Sequence, residues 1–224
     1  MPRRILEVCT ASLGSVEAAV EGGAERVELC SALSLDGLTP SVGLLQYVRQ
    51  RFPQLKIHVL IRPREGDFVY SPSELRVMAM DIAAAVPFAD GIVGGVLTAE
   101  GDVDIAATSM LVRQAQGLPF TFHRAFDRCR RPLVALEQVI AAGCRRVLTS
   151  GQAPSAAGGI GLLRQLRDLA GDRLIVMPGG GVGEDNARLI LDQTGCQEIH
   201  GSCSGGTGMT SAERVKAVRL AIGG

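Results

Sequence analysis

Short apolar runs recur along the chain, and each predicts a buried β-strand. They cover residues 5–9, 26–30, 57–62, 90–95, 119–123, 145–150, 174–179 and 197–201. The runs begin 21 to 33 residues apart, which is the length of one strand followed by one helix.

The segments between these runs carry apolar residues at helical spacing. Clear cases are residues 15–23, 41–52, 73–86, 135–143, 161–171 and 211–223, and a further helix is predicted over 184–194. Eight alternating strand–helix units without a linker predict an α/β protein, a (β/α)8 TIM barrel forming a single domain over residues 1–224. A doubly wound open sheet is the alternative, but no G-x-G-x-x-G follows the first strand.

Two neighbouring strands, "ILEVC" and "RVELC", share a Glu-x-Cys pattern on one face. In a barrel that face points inward because the apolar alternate positions pack against the helices. Glu7 and Glu28 are therefore predicted to form one inner layer. Cys9 and Cys30 form the next layer, at equal heights and at the C-terminal strand ends.

The same alternation turns Arg62, His123, Glu198 and His200 toward the barrel axis. Barrel interiors are usually filled by Val, Ile and Leu, and buried charges need partners. One interpretation is a structural network in which Arg62 and the histidines neutralise the glutamates. The other is a functional site, because TIM-barrel enzymes work at the C-terminal rim.

Three interpretations fit Cys9 and Cys30. They are small buried hydrophobic residues, a disulfide, which a reducing cytosol disfavours, or a two-thiolate site for a soft ion such as Cu(I). Zinc would need four ligands, and no C-x-x-C pair supplies them.

Other polar residues follow the strands at the same end. Arg62, Arg64 and Asp67 in "IRPREGDFVY" suit recognition of a carboxylate or phosphate, or a loop held by Arg–Asp pairs. In "TFHRAFDR", the residues His123, Arg124 and Asp127 form a plausible acid/base and charge-positioning set.

Glycine-rich turns follow the later strands. Ser150 ends the sixth strand, and Gly179, Gly180 and Gly181 follow the seventh. Such turns bind phosphate in many TIM barrels through backbone N–H groups and a helix N-terminus, although glycine also simply permits a tight turn.

Composition narrows the classes of function. The net charge is zero and aromatic residues are few, so neither nucleic acid nor a membrane is an expected partner. Six dispersed cysteines and the absence of a signal-peptide core indicate a cytoplasmic protein with reduced thiols. The two lysines, Lys56 and Lys216, lie away from the rim, which argues against Schiff-base chemistry.

Seven motifs together resemble the copper homeostasis protein CutC family: "EVC", "GGAERVELC", "GLTPS", "IRPREGDFVYS", "TFHRAFD", "RVLTSG" and "MPGGGV". The resemblance covers nearly the whole chain. It implies a TIM barrel, a cytoplasmic homo-oligomer (a dimer or a tetramer) and, in some members, Cu(I) bound by cysteines matching Cys9 and Cys30. The family's polar rim matches Glu7, Glu28, Arg62, Arg64, Asp67, His123, Arg124, Asp127 and His200.

The sequence departs from the family pattern at two places near the C-terminal rim of the barrel, which forms its mouth. Glu65 stands where relatives commonly have glycine. Only about ten residues separate His200 from the last helix, where many relatives carry a longer loop, which predicts a more open pocket.

Two hypotheses follow. The first is a Cu(I)-binding homeostasis protein with Cys9 and Cys30 as ligands. The alternative is an enzyme of lyase or isomerase type acting on a small anionic or phosphorylated metabolite, with no nucleotide cofactor. Its catalytic candidates are Glu28, His123, Asp127 and His200. Its substrate-binding candidates are Glu7, Arg62, Arg64, Asp67, Arg124, Ser150, Gly179, Gly180 and Gly181.

Overall fold

A computed structural model describes residues 3–205 and 208–223, in which strands and helices alternate. The strands are β1 (Ile5–Thr10), β2 (Arg26–Leu29), β3 (Lys56–Leu60), β4 (Gly91–Gly94), β5 (Phe120–Phe122), β6 (Arg146–Thr149), β7 (Ile175–Pro178) and β8 (Glu198–Gly201). The α-helices are α1 (Leu13–Glu21), α2 (Val42–Arg51), α3 (Pro72–Ala85), α4 (Ile105–Gln114), α5 (Pro132–Ala141), α6 (Ile160–Ala170), α7 (Ala187–Thr194) and α8 (Ala212–Ile222). Short 3-10 helices cover Leu33–Leu35 and Arg124–Arg128.

The strands form one parallel sheet in the order β7-β6-β5-β4-β3-β2-β1-β8. A bridge between Gly179 and His200 links β7 to β8 and brings the sheet close to a full circle. The helices surround it, so the predicted (β/α)8 TIM barrel is confirmed.

Helix starts follow the expected capping chemistry. Ser12, Ser41 and Ser211 each accept a hydrogen bond from a backbone N–H of the first turn. α7 begins at Ala187, later than predicted. Asn186 Oδ1 accepts from the N–H of Gly183, and this turn takes the place of the expected first helical turn.

The apolar core lies between the sheet and the helices. Leu6, Val8, Val27 and Leu29 are fully buried on the outer face of the sheet, as their alternation predicts. The barrel interior is instead rich in buried polar side chains, including Glu7, Arg26, His58, Arg146 and Glu198.

The prediction that the two Glu-x-Cys motifs stand at equal heights is wrong. In the β1–β2 register, Glu7 lies opposite Arg26 and Cys9 lies opposite Glu28. Barrel strands are staggered along their neighbours, and a stagger of two residues leaves every side chain on its predicted face. As a result, Glu7 lies beside the guanidinium of Arg26, and Glu28 lies beside the thiol of Cys9.

Candidate metal and ligand site at the barrel mouth

A cavity of about 460 Å³ opens at the C-terminal ends of the strands. Most of the rim residues predicted from the sequence line it: Cys9, Glu28, Arg62, His123, Arg124, Asp127, Gly180, Gly181 and His200. The other predicted site residues are not part of this lining: Glu7, Cys30, Arg64, Asp67, Ser150 and Gly179.

The two candidate thiols are in contact. Cys9 Sγ lies 3.7 Å from Cys30 Sγ and 3.6 Å from Glu28 Oε1, while the Cys30 thiol donates to the carbonyl of Thr10 at 3.4 Å. All six cysteines are free and buried. The hydrogen bond to Cys30, burial and the charge of Glu28 raise the pKa of Cys9 well above its usual value.

Cys9, Glu28 and His200 form a cluster suited to a metal ion. One ligand atom from each lies within 4.8 Å of the others. His200 Nδ1 is 2.9 Å from Glu7 Oε1, so Nε2 is the ring nitrogen left for the mouth. A metal-binding histidine commonly uses its second nitrogen in this way, with a carboxylate that orients the ring.

Beneath this cluster, Glu7 is completely buried among Arg26, His58 and His200. Its Oε2 lies 2.6 Å from Arg26 Nε and 3.1 Å from His58 Nδ1. Burial opposes its ionisation, but Arg26, His200 and His58 together hold the pKa of Glu7 well below its usual range.

Glu198 forms a second buried ion cluster next to the first. It pairs with Arg26 and lies 2.7 Å from Arg146 Nε. Despite burial, the two arginines lower its pKa. These arginines, not Arg62, neutralise the interior carboxylates.

Glu28 differs from these two glutamates. Burial, which is the largest effect, and the nearby charge of Glu7 raise its pKa, and the opposing effect of His200 does not offset them. Its Oε2 is buried without a hydrogen-bond partner among the described residues. Glu28 therefore presents an unsatisfied carboxyl oxygen in a residue that lines the cavity.

His123 is a neutral imidazole. Its Nδ1 accepts from the N–H of Ala125 at 3.3 Å, which leaves the proton on Nε2. Burial and the charge of Arg62 lower its pKa to about 3. Nε2 is buried and has no hydrogen-bond partner in the described part of the chain.

Arg62 holds loops and does not pair with the interior glutamates, so the interpretation that it neutralises them is wrong. Its guanidinium donates to the carbonyls of Leu35 at 2.7 Å, Gly37 at 3.0 Å and Gly66 at 3.1 Å. It also lies over the ring of Phe68, 5.1 Å from its centroid. Its charge nevertheless remains beside the cavity that it lines.

The next loop is tied by its own ion pairs. Arg64 lies 2.9 Å from Asp67 Oδ1 and 2.5 Å from Glu74 Oε1. It also lies over the ring of Tyr70. These contacts are those of a loop held by arginine, the second of the two interpretations of this motif.

Asp127 is saturated by its neighbours. It accepts from the hydroxyl of Thr149, from the N–H of Ser150 at 3.1 Å and of Gln152 at 3.3 Å, and from Arg124 Nε at 2.8 Å. Ser150 Oγ also lies 3.1 Å from this carboxylate. The carboxylate of Asp127 therefore holds the loop that follows β6. Because its oxygens already accept these hydrogen bonds, it is poorly placed to exchange a proton with a ligand.

The glycines after β7 form a tight turn. Gly180 and Gly181 have φ values of 107° and 67°, which favour glycine, and a Cβ on Gly180 would lie 3.4 Å from Arg124 Cζ. The N–H of Gly179 is bonded to the carbonyl of Thr149. Phosphate binding at this turn stays a prediction, and the loop after β8 includes residues 206 and 207, which lie outside the described residues.

Three interior residues had not been singled out from the sequence: Arg26, His58 and Arg146. All are buried and in ion-pair or hydrogen-bond contact with the interior carboxylates. The alternation that turns Glu28 inward also applies to Arg26, two residues earlier. The same alternation along the strands could have identified Arg26, His58 and Arg146 from the sequence.

The fold and the cavity together define a TIM barrel with a buried thiol–carboxylate–imidazole cluster at the C-terminal ends of its strands. Residues 4–205 match the model of the CutC family, and the chain belongs to that family. A CutC-family protein of Chromobacterium violaceum is 47% identical over 243 aligned positions, covering 98% of each chain.

Two further relatives extend this likeness. A copper homeostasis protein cutC homolog of Mus musculus is 44% identical over 220 residues, covering 98% of this chain and 80% of the mouse protein. The crystal structure of a CutC protein from Streptococcus agalactiae superposes with a TM-score of 0.85 at 34% identity, covering 89% of this chain and 98% of that one. Across the described residues, none of the helices has the length and apolar character needed to cross a membrane.

Proposed function

We propose that this protein binds Cu(I) in the cytoplasm as part of copper homeostasis, with Cys9 and Cys30 as the ligands. The observation that carries the proposal is the 3.7 Å contact between Cys9, which lines the cavity, and Cys30, which is fully buried behind it. Cu(I) is a soft ion that selects thiolate ligands, and relatives of this chain are described as copper homeostasis proteins.

His200 and Glu28 complete the proposed centre. With Cys9 they bring three ligand types within reach of one ion, and Glu7 orients the His200 ring. Because the Cys9 thiol is protonated at neutral pH, copper would displace a proton as it binds.

The test is an anaerobic Cu(I) titration against a chromogenic chelator. Wild type is compared with Cys9→Ser, Cys30→Ser and the control Cys144→Ser, whose cysteine is buried in the main apolar core and not in the small cluster that holds Cys9 and Cys30. We expect tight binding of one copper per chain or fewer in wild type and the control, lost in the other two. Equal binding in all four proteins would refute the assignment.

A second candidate function is an enzyme of lyase or isomerase type acting on a small anionic molecule at the same mouth. The observation that favours it is the presence of buried polar atoms without partners, Glu28 Oε2 and His123 Nε2, in residues that line one cavity. Unsatisfied buried polar groups are costly and rare in native proteins, and a catalytic role is one of the explanations for them. Incubation with candidate metabolites, monitored by NMR for proton exchange or bond cleavage, tests it.

We also propose that the working form is a homo-oligomer, a dimer or a tetramer. Light scattering of the purified protein tests this directly.

A further inference from the structure

The mouth cavity is much larger than a metal ion requires. Its volume is about 460 Å³, whereas a water molecule occupies about 30 Å³ in the liquid. Cavities that hold small organic ligands measure about 300–1,000 Å³. A metal ion bound at the thiol pair would therefore fill only a small part of the cavity.

On the side of the cavity opposite the thiols, His123 carries a hydrogen-bond donor that has no partner among the described residues. His123 is only 6% exposed, and the bond from the Ala125 N–H to Nδ1 places its proton on Nε2. Nε2 has no partner in the described part of the chain. A buried donor left unpaired costs about 1–3 kcal/mol, which a ligand oxygen would recover.

Arg62, which contacts the same Phe68 ring as His123, favours a negatively charged ligand near this donor. Arg62 is a buried cation that lines the same cavity, and Phe68 contacts both the guanidinium and the imidazole, with ring centroids of Phe68 and His123 4.9 Å apart. Arg124 also lines the cavity, although Asp127 pairs with it, and the remaining charged residues of the lining are Arg128, Asp36 and Glu28. Arg62 has no carboxylate partner among the described residues.

The barrel topology separates this donor from the thiols. His123 follows β5, which lies four strands from β1 in the sheet order and so faces it across the barrel. Cys9 is on β1 and Cys30 directly follows β2. A ligand held by His123 would therefore fill the space between the two walls.

We propose that His123 Nε2–H and the charge of Arg62 form a subsite for a small organic carboxylate in this cavity. The inference rests on the second candidate function and names its substrate class. It gives His123 the role of a neutral hydrogen-bond donor, whereas the sequence analysis placed it in an acid/base set. Neutral donors aimed at a developing negative charge are a common means of transition-state stabilisation.

The experiment records side-chain ¹⁵N spectra of the three histidines while acetate, pyruvate or succinate is added to the metal-free protein. Binding should shift the His123 Nε2 resonance and slow the exchange of its proton. Two variants divide the functions of the ring. His123→Asn keeps an acceptor for the Ala125 N–H but has no donor at the position of Nε2, since its NH2 group takes the place of Cδ2. His123→Gln keeps a donor near Nε2 and removes that acceptor.

We expect His123→Asn to raise the Kd of the best carboxylate by about tenfold or more, and His123→Gln to change it less. The proposal is overturned if no carboxylate shifts His123, or if binding survives in His123→Asn. Phosphate is a parallel probe, and binding of phosphate alone would also overturn it. Turnover is measured separately, so carboxylate binding without turnover would refute the second candidate function and leave the subsite standing.

Discussion

Glu7 and Arg26 face each other inside the barrel, with Arg26 Nε 2.6 Å from Glu7 Oε2. The exposed fraction of the side chain is 0% for Glu7 and 7% for Arg26. The same carboxylate holds His200 Nδ1. The pair thus links the ionic interior of the barrel to the imidazole of the proposed metal centre.

Removing the cation from this pair should destabilise the fold strongly. Arg26→Met leaves Glu7 without its closest positive partner and takes one of two arginines from Glu198. Loss of one partner of a buried ion pair costs about 3–5 kcal/mol. The free energy of unfolding, measured by urea denaturation, should fall by that amount.

A surface pair supplies the control. Arg173 lies 2.7 Å from Glu137, and both side chains are nearly half exposed. Arg173→Ala should lower the free energy of unfolding far less than Arg26→Met does, because solvent screens an exposed ion pair. Equal losses in Arg26→Met and Arg173→Ala would show that burial adds nothing to the interior pair.

The pKa values of the two histidines that line the cavity, His123 and His200, should be shifted in opposite directions. Burial and Arg62 lower the pKa of His123 to about 3. For His200, burial works against the charged form, but Cys9, Glu7 and Glu28 raise the pKa well above 6.5. Side-chain ¹⁵N shifts should therefore report a neutral His123 at pH 5.5 and a His200 that loses its proton only at a pH above 6.5. A common midpoint near 6.5 would contradict both assignments of charge.

The ionisation of His123 also predicts how stability depends on pH. In the unfolded chain the His123 imidazole takes up a proton as the pH falls below about 6.5. In the folded protein it does so only near pH 3. This contribution to stability is complete above pH 6.5 and is lost as the pH falls toward 3, by up to about 1.4 kcal/mol per pH unit. His123→Asn lacks this group. Urea denaturation of both proteins between pH 7 and 5 should therefore show a shallower decline in the variant, and parallel curves would exclude the effect.

Alternation along the strands predicted the barrel and the inward faces of Glu7, Cys9 and Glu28. It could not predict the stagger between β1 and β2, because a shift of two residues preserves both faces. Nor could residue type reveal the role of Asp127, whose partners are supplied by a loop that follows another strand. The face of a side chain depends on local periodicity, whereas its partner depends on register and loop conformation.

The thiol contact predicts low chemical reactivity in the metal-free protein. Cys9 is 8% exposed, and Cys30, burial and Glu28 all raise the pKa of its thiol. Because the thiolate is the nucleophile, iodoacetamide at pH 8 should modify Cys9 at least about tenfold more slowly than in the urea-unfolded chain. Cys30→Ala removes the largest of the three causes and should accelerate the reaction, as measured by peptide mass spectrometry. Rapid labelling of folded wild type would contradict this account.

Gly95 controls the position of the His123 ring. A Cβ at this residue would lie 2.7 Å from His123 Nδ1 and 3.1 Å from Phe122 Cζ, closer than ordinary contacts allow. Gly95→Ala should therefore displace the imidazole, cost about 1–3 kcal/mol of stability through overpacking and weaken carboxylate binding. Its ¹⁵N signature is a change at His123 with little change at His200.

Gly161 is the matched control for this substitution. It lies in α6, where an added Cβ meets no atom within 4 Å. Gly161→Ala should stabilise the helix by up to about 1 kcal/mol and leave the His123 resonances unchanged. If Gly95→Ala behaves like this control, the ring is not held by close packing. Its unpaired Nε2 could then turn away from the cavity, and the structural basis for the carboxylate subsite would be lost.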